Sequence, residues 1–387
     1  MGKVDFSYCY GCGVCAVACP RNAIRMVVND EGFLKPHIDS TCIDCGICLK
    51  VCSFCHDTHV KPHDLVSPVA LAAWSKDKDT RYTCSSGGVA FEIGRYLISN
   101  GYKVIGCRYN PDKHIAEHYL ASNVDDLRAS IGSKYIQSET YSGFSQLKNK
   151  SKYLVVGTPC QIDSLRRFVQ LRKMENDVIL MDFFCHGVPS KLMWNKYLKE
   201  LQQKIGDFDK IRWRDKQTGW HDSWVMKVDG KYSSWFSQGD LFYQMFLKDR
   251  CLGKACYHNC KYKYDKSAAD IRIGDLWGKF YENNDEGVNG VICFTFKGKD
   301  LFNEMSKILH IEPSYLNIVG ESQMKRCARK PISYGYVMRS LKSEKPLHQI
   351  HIISTYIERL ESIPRKILYY IMRMPTKVGE IFNRNYQ

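Results

Sequence analysis

The chain has 387 residues and carries 56 Lys or Arg against 41 Asp or Glu, a formal charge of +15, and that length holds a small domain beside a large one. Eighteen cysteines, with Asp5 and a cysteine run where a leader's apolar segment would lie, exclude a secreted disulfide framework and predict a reducing, cytoplasmic setting. The longest apolar runs, such as residues 178–184 and 367–374, fall short of the roughly 20 residues that span a bilayer.

Residues 1–57 hold two copies of one cysteine rhythm. Cys9, Cys12, Cys15 and Cys19 precede Pro20; Cys42, Cys45, Cys48 and Cys52 repeat the spacing C-x2-C-x2-C-x3-C, offset by 33 residues. Gly13 and Gly46 keep the same offset. In this bacterial ferredoxin run, three close thiolates hold one [4Fe-4S] cube and the fourth crosses to the other. The expected ligand sets are therefore Cys9, Cys12, Cys15 and Cys52 for one cluster, and Cys42, Cys45, Cys48 and Cys19 for its partner. Zinc wants four tetrahedral ligands and does not explain a crossed fourth. Two such cubes move single electrons. Ser53 stands where the second copy would carry its proline, and Cys55 is a spare thiol that reads as a small buried apolar residue.

Residues 58–70 read as a linker. From 71 to 330 strands and helices alternate: a helix over 89–99, a strand over 103–107, an apolar run over 153–157 and a helix over 161–171. A second apolar run covers 178–184, Ser190 caps a helix over 191–204, and short strands follow at 271–274 and 291–296. This alternation predicts an α/β core with a largely parallel sheet. The basic and aromatic stretch Lys210-Ile211-Arg212-Trp213-Arg214 reads as a strand with one wet face, so no nucleic-acid partner is expected. The predicted class is an α+β ferredoxin-like dicluster domain, then an α/β core, then a short helical tail over 331–387. In that tail Ile353, Tyr356, Ile357 and Leu360 recur at helical spacing, and Ile367, Leu368, Ile371 and Met372 mark a second helix. The pair either packs on the core with its basic face in water or makes peripheral contact with the inner membrane face.

Two core cysteines stand where an open sheet binds ligands. Cys160 follows the run ending at Gly157, and Cys185 follows the run ending at Phe184. With Cys256 and Cys260 downstream they form a candidate ligand set for a third [4Fe-4S] cluster, with Cys251 in reserve. Reduced structural thiols are the plainer alternative, and Cys107 and Cys293 are read that way. No G-x-G-x-x-G follows a strand. Instead Ser85-Ser86-Gly87-Gly88 opens a helix, where free amides and the dipole favour a phosphate, although an ordinary N-cap would look the same. Within Gly132-Ser133-Lys134-Tyr135-Ile136-Gln137-Ser138, Lys134 is a candidate phosphate partner and Tyr135 a candidate flavin contact.

These motifs, with Gly157-Thr158-Pro159-Cys160-Gln161, Cys185-His186-Gly187-Val188-Pro189-Ser190, Gly219-Trp220 and Gly274-Asp275-Leu276-Trp277-Gly278, together resemble the coenzyme F-420 hydrogenase/dehydrogenase beta subunits over about residues 70–325. The resemblance implies an iron–sulfur flavoprotein oxidoreductase that binds FAD and passes electrons between a hydride carrier or small-molecule substrate and its clusters. Some members use the deazaflavin coenzyme F-420. A ferredoxin or partner redox enzyme would stand at the other end. Fusion to a dicluster, often near surface-polysaccharide genes, is a familiar arrangement in such proteins. His186, beside a proposed ligand, is either a proton donor near the flavin or a hydrogen-bonded structural histidine. Two other readings are a relay subunit with no substrate of its own and a membrane-surface assembly factor for polysaccharide synthesis. The family commonly carries Arg-Pro where Gly253-Lys254-Ala255 precedes Cys256 here, a departure that bears on the third cluster's geometry.

Overall fold

The computed structural model describes residues 5–258, 260–321, 323 and 325–362. The ferredoxin-like unit is built on a hairpin, Ile24–Val28 paired with Leu34–Ile38. Two short helices, Val14–Ala18 and Ile47–Lys50, lie within the two cysteine runs. Each begins at a glycine in the left-handed region, Gly13 at φ 75° and Gly46 at φ 74°. The 33-residue repeat is thus a repeat of backbone conformation that a side chain would strain.

The core is a nine-stranded sheet. Its spatial order is Leu309–Pro313, Leu65–Ser75, Asn289–Thr295, Ile271–Asp275, Val178–Phe183, Tyr153–Val156, Lys103–Asn110, Ile115–Ala121 and Ser138–Glu139. The sheet is mixed rather than largely parallel. The four strands from Ile271–Asp275 to Lys103–Asn110 run parallel, and both flanks bring antiparallel pairs. On one flank Lys103–Asn110 continues beyond its expected end into a hairpin with Ile115–Ala121. On the other, Leu65–Ser75 begins inside the expected linker. Pro68 lies at the register shift between the Leu65–Thr295 and Val69–Cys293 pairs, where proline is tolerated.

The helix Pro159–Leu171 starts with a Thr158/Gln161 capping box and proline in its first turn. Ser190 caps Lys191–Ile205 as expected, its hydroxyl accepting from the amide of Leu192. A small sheet, Tyr232–Trp235, Trp224–Val228 and Ile211–Arg214, stands beside the main one. The tail helix Leu347–Ser362 packs through Leu347, Ile350 and Ser354, and Arg250 ties it down by an ion pair with Glu358 at 2.6 Å. Of the apolar positions expected either to pack on the core or to meet a membrane, Ile353, Tyr356 and Leu360 are exposed. The second expected tail helix lies outside the described residues. No described helix is long and apolar enough to cross a membrane.

The ferredoxin unit is seated on the core rather than tethered to it. Cys12, Val14 and Val51 are buried in one cluster with Ile105, Phe144 and Leu165. Ser164 is the polar centre of the seam: its Oγ accepts from the Cys12 thiol at 3.3 Å and from the Ser53 amide at 3.0 Å. The Ser53 hydroxyl donates to the Cys160 carbonyl, and the Leu34 amide donates to Gln137. Ser164→Ala should therefore cost about 1–3 kcal/mol, the cost of a buried donor left unsatisfied. Hydrogen exchange at Ser53, rising without change in the distant strand Leu309–Pro313, is the measurement that checks it.

His118 sets an acid limit on the sheet. Burial pushes its pKa down to about 4, while Nε2 donates to the Val156 carbonyl at 3.0 Å. The folded protein holds it neutral while the unfolded chain takes up a proton near pH 6.5. Stability is therefore lost as pH falls from about 6.5 toward 4, by up to ~1.4 kcal/mol per pH unit. Urea midpoints measured across that window should fall less steeply in His118→Phe.

Candidate functional site

The cysteines expected to hold the outer cluster come together at the surface. Cys19, Cys42, Cys45 and Cys48 line one cavity of about 510 Å³ at the surface, where Cys45 is exposed. In the other set burial pushes the Cys12 thiol up to about 12, with Cys52 and Cys9 as its charged neighbours. Cys15 is raised by burial and then by Cys12, Cys9, Cys52 and, from the other set, Cys48. Thiols held this high give up their protons when a metal's charge stands beside them. Cys55 is exposed rather than buried, with its thiol raised to about 12 by burial of the sulfur and by Cys52.

The core cysteines come together as well. Cys160 stands in the first turn of Pro159–Leu171, Cys185 just past Val178–Phe183, Cys256 in Lys254–His258 and Cys260 two residues beyond that helix. All four line one cavity, whose wall also includes Cys9, Lys35, Gln137, His186 and Lys263. Burial raises Cys160, Cys185 and Cys256, and each also feels others of the four. Cys260 is lowered to about 6, first by the contact it receives from the thiol of Cys327. Cys327 carried no motif, and its own thiol also donates to the Cys260 carbonyl at 3.2 Å. Cys251 is buried away from the cavity. Among the described residues no three such side chains close on a single ion. Four thiols that line one cavity without closing on a single ion fit a polynuclear cluster, with each sulfur on its own iron.

The expected phosphate turn and the Gly132–Ser138 segment also meet. The Ser133 amide and hydroxyl both reach the Ser85 hydroxyl, at 3.0 and 3.1 Å. Ser86 donates to the Val288 carbonyl, and the first amide of the helix Val89–Ser99 donates to Asn289. Gly87 has no room for a side chain, since a Cβ would meet the Ala73 carbonyl at 2.8 Å. Gly88 supplies the left-handed N-cap at φ 82°. Lys134 does not face this turn as a phosphate partner would. Its ammonium donates to the carbonyls of Ala129, Ser130 and Ile131, which takes all three of its protons. Burial lowers its pKa to about 8. Tyr135 is stacked on Trp224 at 4.9 Å, so one ring face is already covered.

Arg214 is the residue that the sequence concealed. Residues 212 and 214 share a face by strand alternation, yet Arg212 is exposed and Arg214 is buried. The pairing with Trp224–Val228 is irregular there, and the strand end turns inward. Its guanidinium lies over Trp224 and Trp277 at 4.8 and 5.2 Å, pairs with Asp275 at 3.0 Å and donates to the Tyr135 hydroxyl and the Ser85 carbonyl. Lys216 extends the same network, donating to the carbonyls of Arg81, Ser86 and Glu286. The serine turn, the Tyr135 segment, Trp220 and the Asp275 motif thus converge on one buried cation. His186 pairs with Asp249 at 2.7 Å and packs edge-on against Phe246. Asp249, in a loop without a motif, was also missed.

Known proteins bear on this arrangement. Residues 3–25 match the 4Fe-4S binding domain, residues 70–143 the N-terminal part of the coenzyme F420 hydrogenase/dehydrogenase beta subunit, and residues 150–316 its C terminus. A solved structure of the xenon-derivatised F420-reducing [NiFe] hydrogenase complex from Methanosarcina barkeri is similar at 16% identity and a TM-score of 0.46, covering 78% of this chain and 92% of that one. No curated protein matches the chain. Over more than half its length, and behind an N-terminal 4Fe-4S domain, the chain is a member of the coenzyme F420 hydrogenase/dehydrogenase beta-subunit family, an iron–sulfur electron-transfer subunit of the oxidoreductase type.

Proposed function

We propose that the chain is a flavin-dependent iron–sulfur oxidoreductase whose three cysteine sets conduct single electrons between a partner redox protein and a small-molecule substrate. One observation carries this reading: Cys9 of the ferredoxin unit lines the same cavity as Cys160, Cys185, Cys256 and Cys260. The three sets form a series, from the exposed rim at Cys45, through the buried Cys12, to the core cavity. The segment from Ser133 to Gln137 joins that cavity to the serine turn, since Ser133 contacts Ser85 while Gln137 lines the cavity. Four residues of chain reach at most about 14 Å. A phosphate-bearing cofactor held at Ser85 and Ser133 would thus have its ring end beside the inner cysteines. FAD bound there supplies the change from two-electron hydride chemistry to single electrons. Arg214 orients Tyr135 and Ser85, and His186 lies against Asp249 at the cavity wall. A deazaflavin or nicotinamide cofactor would be the hydride carrier.

Anaerobic purification followed by iron, acid-labile sulfide and flavin assay tests this. Three cubes require about twelve irons per chain; about eight would remove the inner cluster. A fully loaded sample without flavin would remove the FAD assignment. If neither reduced deazaflavin, NADH, NADPH nor reduced ferredoxin changes the flavin spectrum, the chain is a relay with no substrate of its own.

A further inference from the structure

We propose that Lys35 and Lys263 set the direction of electron flow, making the inner cysteine site the most oxidising of the three and drawing electrons from the ferredoxin surface toward the core. This rests on the three-cluster assignment above.

The outer cavity is lined by one charge of each sign, Arg21 and Asp44. The inner cavity is lined by Lys35 and Lys263 and by no carboxylate. Lys263 donates to the carbonyls of Cys185 and His186, at 2.7 and 3.2 Å. Lys35 donates to the carbonyls of Cys9 and Ser7, at 2.6 and 3.0 Å. Each ammonium is therefore fixed on the main chain of a cysteine segment rather than neutralised by an acid. Of the acids around the cavity, Asp182 pairs with Arg272, Glu31 with Lys254 and Asp163 with Arg167, while Asp249 lies against His186. The middle set has Lys35 on its Cys9 carbonyl and the inner set has both lysines within its wall, whereas the outer wall carries Arg21 and Asp44 at an exposed surface. Reduction adds one negative charge to a cluster, and fixed positive charge in a buried, weakly screened setting favours that reduced form. Potential should therefore be highest at the inner set.

An EPR-monitored redox titration of the full protein, with iron and sulfide counted in the same samples, tests this. The inner signal is the one lost in Cys256→Ser and the outer signal the one lost in Cys45→Ser. In the wild type the inner signal should have the highest midpoint. Lys263→Met should lower the reduced-to-oxidised ratio of that signal about tenfold at the wild-type midpoint, a shift of about 59 mV for one electron. Lys263→Arg should keep the midpoint, and the outer signal should not move. If Lys263→Met loses iron, Lys35→Met is the readout, and it should lower the inner and middle midpoints together. About twelve irons with unmoved potentials in both variants, or a highest midpoint at the outer site, would overturn the proposal alone. Loss of iron in both methionine variants would make the lysines structural and overturn it too. About eight irons in the wild type would overturn the three-cluster assignment itself.

Discussion

Arg272→Met should destabilise the core by about 3–5 kcal/mol, the cost of leaving a buried charge without its partner. Arg272 and Asp182 are paired across neighbouring parallel strands, and both side chains are fully buried. The contact is bidentate, with two bonds of 2.7 Å, and Ser267 donates to the same carboxylate. The remaining guanidinium nitrogen donates to the carbonyls of Tyr262 and Tyr264. Removing the arginine therefore strands a carboxylate and also frees the segment that carries Cys260 and Lys263. Urea unfolding followed by circular dichroism gives the cost. The double variant Arg272→Met with Asp182→Leu should recover most of it, because two apolar groups of similar shape leave nothing unsatisfied. A cost below about 1 kcal/mol for the single variant would mean that water or another cation reaches Asp182.

Cys256→Ser should remove about four of twelve irons and about a third of the visible cluster absorbance, because a cube that loses one thiolate ligand is not retained in full. The same loss is expected for Cys160, Cys185 and Cys260, which line the same cavity. Cys251→Ser is the control. Its sulfur is fully buried but lies outside that cavity, so the iron count should not change. Iron loss in Cys251→Ser, or full iron in Cys256→Ser, would assign the inner ligands wrongly. Folding should survive in Cys256→Ser, because the substituted atom lies at the cavity wall rather than in a packed interior.

What the sequence reveals here follows the range of the forces involved. The eight ferredoxin cysteines are legible because three ligands of a cube come from seven consecutive residues, and the fourth lies one repeat away. The Ser190 cap is legible for the same reason: capping is decided within a few residues. That Cys160 and Cys185 would meet at one cavity is legible because strand ends in a parallel sheet come out at one edge. Arg214 is not, since its burial depends on an irregular pairing with a strand that begins at Trp224, and on two tryptophans, one of them more than 60 residues away in sequence. Asp249 and Cys327 sit in segments without periodicity and matter only through partners elsewhere in the chain. Lys134 misled because a cation beside serines looks like an anion site, whereas here it closes a helix end. The antiparallel flanks were hidden because a strand's direction is set by its partner.

Ser53 gives the ferredoxin unit a consequence for protein engineering. In free-standing bacterial ferredoxins a proline commonly follows the fourth cysteine of the run, as Pro20 does in the first copy here. At position 53 the amide that proline would lack is the one that Ser164 accepts. A donor ferredoxin spliced onto this core could bind both of its cubes and still fail to seat against the seam. The core in turn could not be shortened at residue 57 without baring Ile105, Phe144 and Leu165 to water. The two parts are exchangeable in the gene but not in the folded molecule, and a chimera that works should need serine restored at that one site.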